Sequence, residues 1–192
     1  MPRPTPPGLR PTLPRWAVVS PARLDHIQRV AELAAGWAER MGVPDSERNR
    51  WLRAVWLHDA LRDARAEELE QWAASTNGPP ELRHGPASAA RAKADGETDR
   101  GVLDAVRYHS LGLAEWDMVG RILYCADYLE PGRSFQAEQR ADLAERLPED
   151  PGGVLREVAR ARLTHIIETG WPVLEPTVRF WNSLATAGPS SR

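Results

Sequence analysis

The chain is poor in cysteine. Cys125 is the only one in 192 residues, so no intramolecular disulfide can form and the fold must rest on its core. A strong charge of either sign is also missing. Lys and Arg total 25 against 27 Asp and Glu, a net charge of -2, which removes the electrostatic reason to expect nucleic acid as a main partner. No apolar run approaches the ~20 residues of a membrane span, and no signal-peptide core is expected at the N-terminus. A reducing, cytoplasmic setting is therefore expected. Strands are lacking too: no stretch alternates with the period of two that a half-buried strand needs.

What is present is helical spacing. Prolines crowd residues 1–14, and residues 1–19 are expected to form a flexible tail, with a second one over 187–192. Residues 20–186 are expected to fold as one all-α domain, a helical bundle. Ser20-Pro21 reads as an N-cap and first turn, after which Leu24, Ile27, Val30, Leu33, Ala34 and Trp37 share a face. A second helix is expected from about Ser46 to Leu61. Asn77-Gly78-Pro79-Pro80 is a strong breaker. Further helices are expected near 67–74, 81–95, 99–109, 118–130, 136–146, 152–169 and 175–186. Trp37, Trp51, Trp56 and Trp72 fall at core spacing. Trp116 and Phe135 lie nearer turns and are candidates for stacking on a purine.

His58-Asp59 breaks the apolar run Ala54–Leu61. An imidazole and a carboxylate in such a stretch are costly unless something pairs them, and a metal ion is one such partner. His26, His84, His109 and Asp127 stand at intervals of about one helix plus one connection. A bundle can bring ligands so spaced to a shared centre. Six nitrogen and oxygen ligands without thiolate suit one or two first-row metals: iron, manganese or zinc. His165 has no comparable setting and reads as structural.

The ordered set resembles that of the HD-domain metal-dependent phosphohydrolases, and within them the YqeK-type branch of symmetrical diadenosine tetraphosphatases. The resemblance rests on residues 20–26, 57–63, 84–86 and 105–110, and on Ile122–Arg133. It implies an HD-type bundle with two divalent or mixed-valence first-row metals, iron foremost. His26, His58, Asp59 and Asp127 would hold one, and Asp59 would bridge to a second held by His84 and His109. It implies symmetrical hydrolysis of diadenosine tetraphosphate to two ADP by a metal-activated water. Asp59, Arg62 and Asp63 would serve catalysis. Arg62, at i+3 from Asp59 on a continuing helix, would share its side. Asp63 would orient Arg62 or His58. Arg62, His84, Gly85, Arg107, Ser110 and Arg133 would contact substrate, with Gly85 allowing an unusual φ and Pro86 starting a helix. The chain departs from the family pattern at Arg62, Ser110 and Ser134, where lysine, threonine and aspartate are usual; these changes bear on substrate preference. The alternatives are an HD-domain phosphohydrolase acting on a nucleoside diphosphate, a deoxynucleotide or another dinucleoside polyphosphate, or a metal-stabilised nucleotide-binding module without turnover. A nucleotide substrate, no nucleic acid, no membrane and a homodimer complete the expectations.

Overall fold

The computed structural model describes residues 13–73 and 79–186. Nine α-helices follow one another among them: α1 (Pro21–Arg40), α2 (Asp45–His58), α3 (Ala66–Ala73), α4 (His84–Ala94), α5 (Arg100–Tyr108), α6 (Met118–Leu129), α7 (Ala137–Arg146), α8 (Pro151–Glu168) and α9 (Glu175–Thr186). A single 3₁₀ turn, Pro80–Leu82, precedes α4, and there is no strand among the described residues. The all-α expectation therefore stands. The breaker at Asn77-Gly78 and the tail over 187–192 lie outside the described residues.

The local chemistry explains the helix starts. Ser20 accepts a hydrogen bond from the Arg23 N–H, and proline fills the first position of α1. Asp99, Asp117 and Asp150 cap α5, α6 and α8 in the same way. The core gathers apolar faces from α1, α2, α5, α6 and α8, with Ile27, Val30, Trp37, Trp51, Val55, Val106, Ile122 and Val158 buried. α6 packs against α1, α2, α5, α7 and α8. Its mid-helix residues Ile122–Asp127 are thereby buried.

Two expectations need correcting. Residues 13–19 are not a loose tail. The Val18 N–H donates to Ala60 O at 2.7 Å, and Trp16 packs over a small second cluster while its Nε1 donates to Asp95 at 3.0 Å. Proline density masked this, because the contacts are with residues far along the chain. Trp116 is not a surface platform. It is 4% exposed, tilted against Tyr124 and Phe180, and its Nε1 donates to Asp104 O at 3.2 Å. Trp37, Trp51 and Trp56 are buried, and Trp72 is half-buried in the second cluster. Phe135 is 69% exposed.

Candidate metal centre

Five helices and their ends deliver the polar residues singled out above to one buried cluster. His26 comes from α1, His58 from the last residue of α2, His84 from the start of α4, His109 from the C-cap of α5 and Asp127 from α6. Asp59 caps α2 at the centre of the group. Its Oδ1 lies 3.2 Å from His84 Nε2 and 3.6 Å from His109 Nε2. Its Oδ2 lies 3.6 Å from His58 Nε2 and 3.8 Å from His26 Nε2. Two triads result, His26–His58–Asp59 and Asp59–His84–His109, each compact enough to hold a metal ion and sharing one carboxylate. Asp127 joins the first through Oδ1, 3.2 Å from His26 Nε2.

The four rings point the same nitrogen inward. Nδ1 of His58, His84 and His109 each faces the carbonyl three residues back, on Val55, Glu81 and Val106, at 2.6, 2.9 and 2.8 Å. A carbonyl only accepts, so for His58 and His109 a proton on Nδ1 leaves the Nε2 lone pair free, whereas His84 Nδ1 also meets the Arg62 guanidinium, a donor, at 2.9 Å. His58 Nε2 is buried with no hydrogen-bond partner among the described residues, and His26 Nε2 faces the Asp127 and Asp59 carboxylates at 3.2 and 3.8 Å. His84 Nε2 and His109 Nε2 lie 3.0 Å apart, an arrangement of lone pairs that a cation relieves. These nitrogens, with carboxylate oxygens between them, fit a divalent metal.

Burial pushes His58 down to about 4 and also lowers His84. Burial acts the same way on His26, but the Asp127 and Glu130 carboxylates override it and push the ring up to about 9. For Asp59, burial favours the protonated form, yet the surrounding His58, His109 and His84 rings hold the carboxyl well below its usual range. Asp127 is held low against its own burial by His26, Arg162 and Arg133.

Several expected contacts are absent. α2 ends at His58, and residues 59–63 turn away, so the i+3 argument for Arg62 fails. Its Nη1 instead donates to Glu81 O at 2.7 Å and lies 2.9 Å from His84 Nδ1. Asp63 orients neither Arg62 nor His58: it accepts the Ser20 N–H at 2.7 Å and so ties α1 to the turn after α2. Gly85 does not adopt a positive φ, and α4 begins before Pro86. A Cβ at Gly85 would lie 3.0 Å from Arg107 O, 3.1 Å from Val106 O and 3.3 Å from His109 Cε1. Glycine is there to let α4 and α5 approach closely enough for their histidines to meet. Arg107 is half-buried, and its side chain has no partner among the described residues. Ser110 Oγ lies 3.2 Å from His109 Nε2. Arg133 binds Asp127 Oδ1 at 2.9 Å. His165 is exposed on α8, its ring against Trp171.

Four neighbours escaped the sequence. Arg23 Nη1 donates to Asp59 Oδ2 at 2.7 Å, and Arg162 reaches from α8 to Asp127 Oδ2 at 2.7 Å. Glu130, 3% exposed, faces His26 Nδ1 at 3.2 Å and accepts from Arg29 at 2.6 Å. Arg23 and Glu130 lie within the stretches quoted for the resemblance, but nothing in their spacing marks them. Arg162 and Arg29 carry no signal at all.

An all-helical fold enclosing histidines around one shared carboxylate defines a candidate metal-binding domain. A family model described as the HD domain matches residues 23–132, and the chain belongs to that family. A relative from Bacillus subtilis (strain 168), named bis(5'-nucleosyl)-tetraphosphatase, symmetrical, is 30% identical over 173 residues, which is 85% of this chain and 90% of the relative. One of the same name from Staphylococcus aureus (strain NCTC 8325 / PS 47) is 32% identical over 123 residues, 59% of this chain and 61% of the relative. In fold, the chain matches a crystal structure of a predicted HD superfamily hydrolase involved in NAD metabolism from Clostridium acetobutylicum. The TM-score is 0.77 at 23% identity, over 88% of this chain and 92% of that one.

Proposed function

We propose that this chain hydrolyses diadenosine tetraphosphate symmetrically to two ADP, at a two-metal centre built on Asp59. The carrying observation is the pair of triads that share this one carboxylate. The relatives named for this reaction support the choice of substrate. His26, His58, Asp59 and Asp127 would hold one metal; Asp59, His84 and His109 would hold the other. Imidazole and carboxylate donors suit iron, manganese and zinc alike, and the resemblance to the HD-domain family puts iron foremost. When bound, such a pair supplies Lewis acidity at the phosphoryl oxygens and lowers the pKa of water to about 7.

The chain's own residues account for the rest. Asp59 sets the spacing of the two triads. Arg62 braces His84 from behind and so serves positioning. Arg133 binds Asp127 at the centre and is partly exposed, and such a guanidinium grips phosphoryl oxygens bidentately. Arg23 can do the same from the Asp59 side. Ser110 offers a hydroxyl next to His109. Among the described residues no helix is long and apolar enough to cross a membrane.

Protein loaded with iron or manganese and given diadenosine tetraphosphate should release ADP as the sole nucleotide product, read by ion-exchange chromatography. ATP plus AMP would overturn symmetrical cleavage, and a strong preference for a mononucleotide would transfer the reading to another substrate of the same fold. Asp59→Ala should reduce turnover by about two orders of magnitude or more, because both triads lose their common oxygen donor.

A further inference from the structure

We infer that Glu130 is a positioning residue that fixes the tautomer of His26, and hence the direction in which its lone pair is offered to a metal. The inference rests on the two-metal reading of the centre.

The argument starts from a difference among the four histidines. His58 ends α2 and His109 caps α5, so Val55 and Val106 belong to the last helical turns, whose carbonyls lack a full set of intrahelical partners. Each ring uses the carbonyl three residues back as the acceptor for Nδ1. His84 follows the Pro80–Leu82 turn and finds Glu81 O in the same relation. Local backbone geometry therefore sets His58 and His109, while at His84 Nδ1 the Arg62 guanidinium competes with Glu81 O.

His26 has no such device. It sits in the second turn of a 20-residue helix, where the carbonyl three residues back is already engaged in the helical ladder. Its Nδ1 needs an acceptor from elsewhere, and Glu130 supplies Oε1 at 3.2 Å from 104 residues away. Asp127 Oδ1 lies 3.2 Å from the other nitrogen, so one turn of α6 and its cap bracket both edges of the ring.

Glu130 is itself clamped. Its Oε2 accepts from Arg29 Nε at 2.6 Å and from the Gly132 N–H at 2.7 Å. A carboxylate has two acceptor oxygens and satisfies both sides at once. A glutamine does not: two donors on the far side would hold its oxygen there and turn its NH₂ toward His26 Nδ1. The ring would then have to accept at Nδ1 and carry its proton on Nε2, where the metal should bind. An isosteric change thus inverts the ligand while keeping shape and volume.

Glu130→Gln should therefore fold, bind metal about 10- to 100-fold more weakly at the His26 site, and lose about one equivalent per chain after dialysis. Elemental analysis reads the loss. Nitrogen-15 spectra of the zinc-loaded proteins should place the His26 proton on Nδ1 in the wild type and on Nε2 in the variant. In Glu130→Gln with Arg29→Met, one of the two far-side donors is gone and metal content should partly recover, whereas a merely structural role gives further loss. Wild-type metal content in Glu130→Gln, or a wild-type ring protonated on Nε2, would overturn the assignment. A wild-type ring protonated on Nε2 overturns the assignment even where the variant does not fold. Wild-type protein that takes up no metal would refute the two-metal reading itself. Wild-type protein that takes up two, matched by the variant, would refute only the role of Glu130.

Discussion

The buried histidines make the metal-free protein sensitive to pH in both directions. An unfolded histidine titrates near 6.5. His58 is pushed down to about 4 in the folded state, so below 6.5 the unfolded chain binds the proton first. Its contribution is present above 6.5 and disappears as pH falls toward 4, at a cost of roughly 3 kcal/mol. His26 works oppositely: its folded value of about 9 gives stability below 6.5 that is lost as pH rises through 9. Asp59 and Asp127, both held low, change nothing in this window. Thermal melts of chelated protein should peak near pH 6.5 and decline on either side; a monotonic profile would contradict the assignment. At this scale the ligand candidates were legible because a buried His or Asp is anomalous in an apolar run. Glu130 and Arg162 were not. A charged residue at a helix end or on a half-polar helix has ordinary surroundings in sequence, and only the fold shows what it faces.

Among the elements, helix existence was far easier to read than helix ends. The apolar spacing of α1, α2 and α6 marks their faces, but the stop of α2 at His58 has no Gly or Pro behind it. Reading the helix through to Leu61 carried Arg62 onto the wrong side. The same limit applies to Gly85, where glycine in sequence suggests a turn and the structure uses it for close packing. Gly85→Ala would press a methyl against Arg107 O and Val106 O. Overpacking of this kind costs about 1–3 kcal/mol. It should also separate His84 from His109, so the second triad should lose metal affinity while the first keeps it. A metal titration that finds both sites weakened alike would argue against this packing role. Trp116 was misplaced for a related reason: the turn that carries it folds under α6 and α9, and local sequence does not announce that cover.

For the whole molecule, the centre joins α1, α2, α4, α5 and α6, while α8 reaches it through Arg162. Metal bound at such a junction stabilises only the folded chain. At a free concentration about 1,000-fold above Kd, linkage gives about 4 kcal/mol per site. For a chain of this size that corresponds to a rise of roughly 10 °C in Tm. Chelation should reverse it, and a Tm indifferent to chelator would mean that the cluster takes no metal in solution.

The distance in sequence between His26 and Glu130 has a kinetic side. Local contacts form α1 and α6 early, but the pair meets only when the 104-residue separation between them has been closed. Until α6 docks on α1, His26 lacks the Glu130 partner that holds its proton in place, and Asp127 is missing from the first site. A newly made chain would thus acquire its complete set of ligands among the last events of folding, and metal uptake would serve as a clock for the arrival of the native topology.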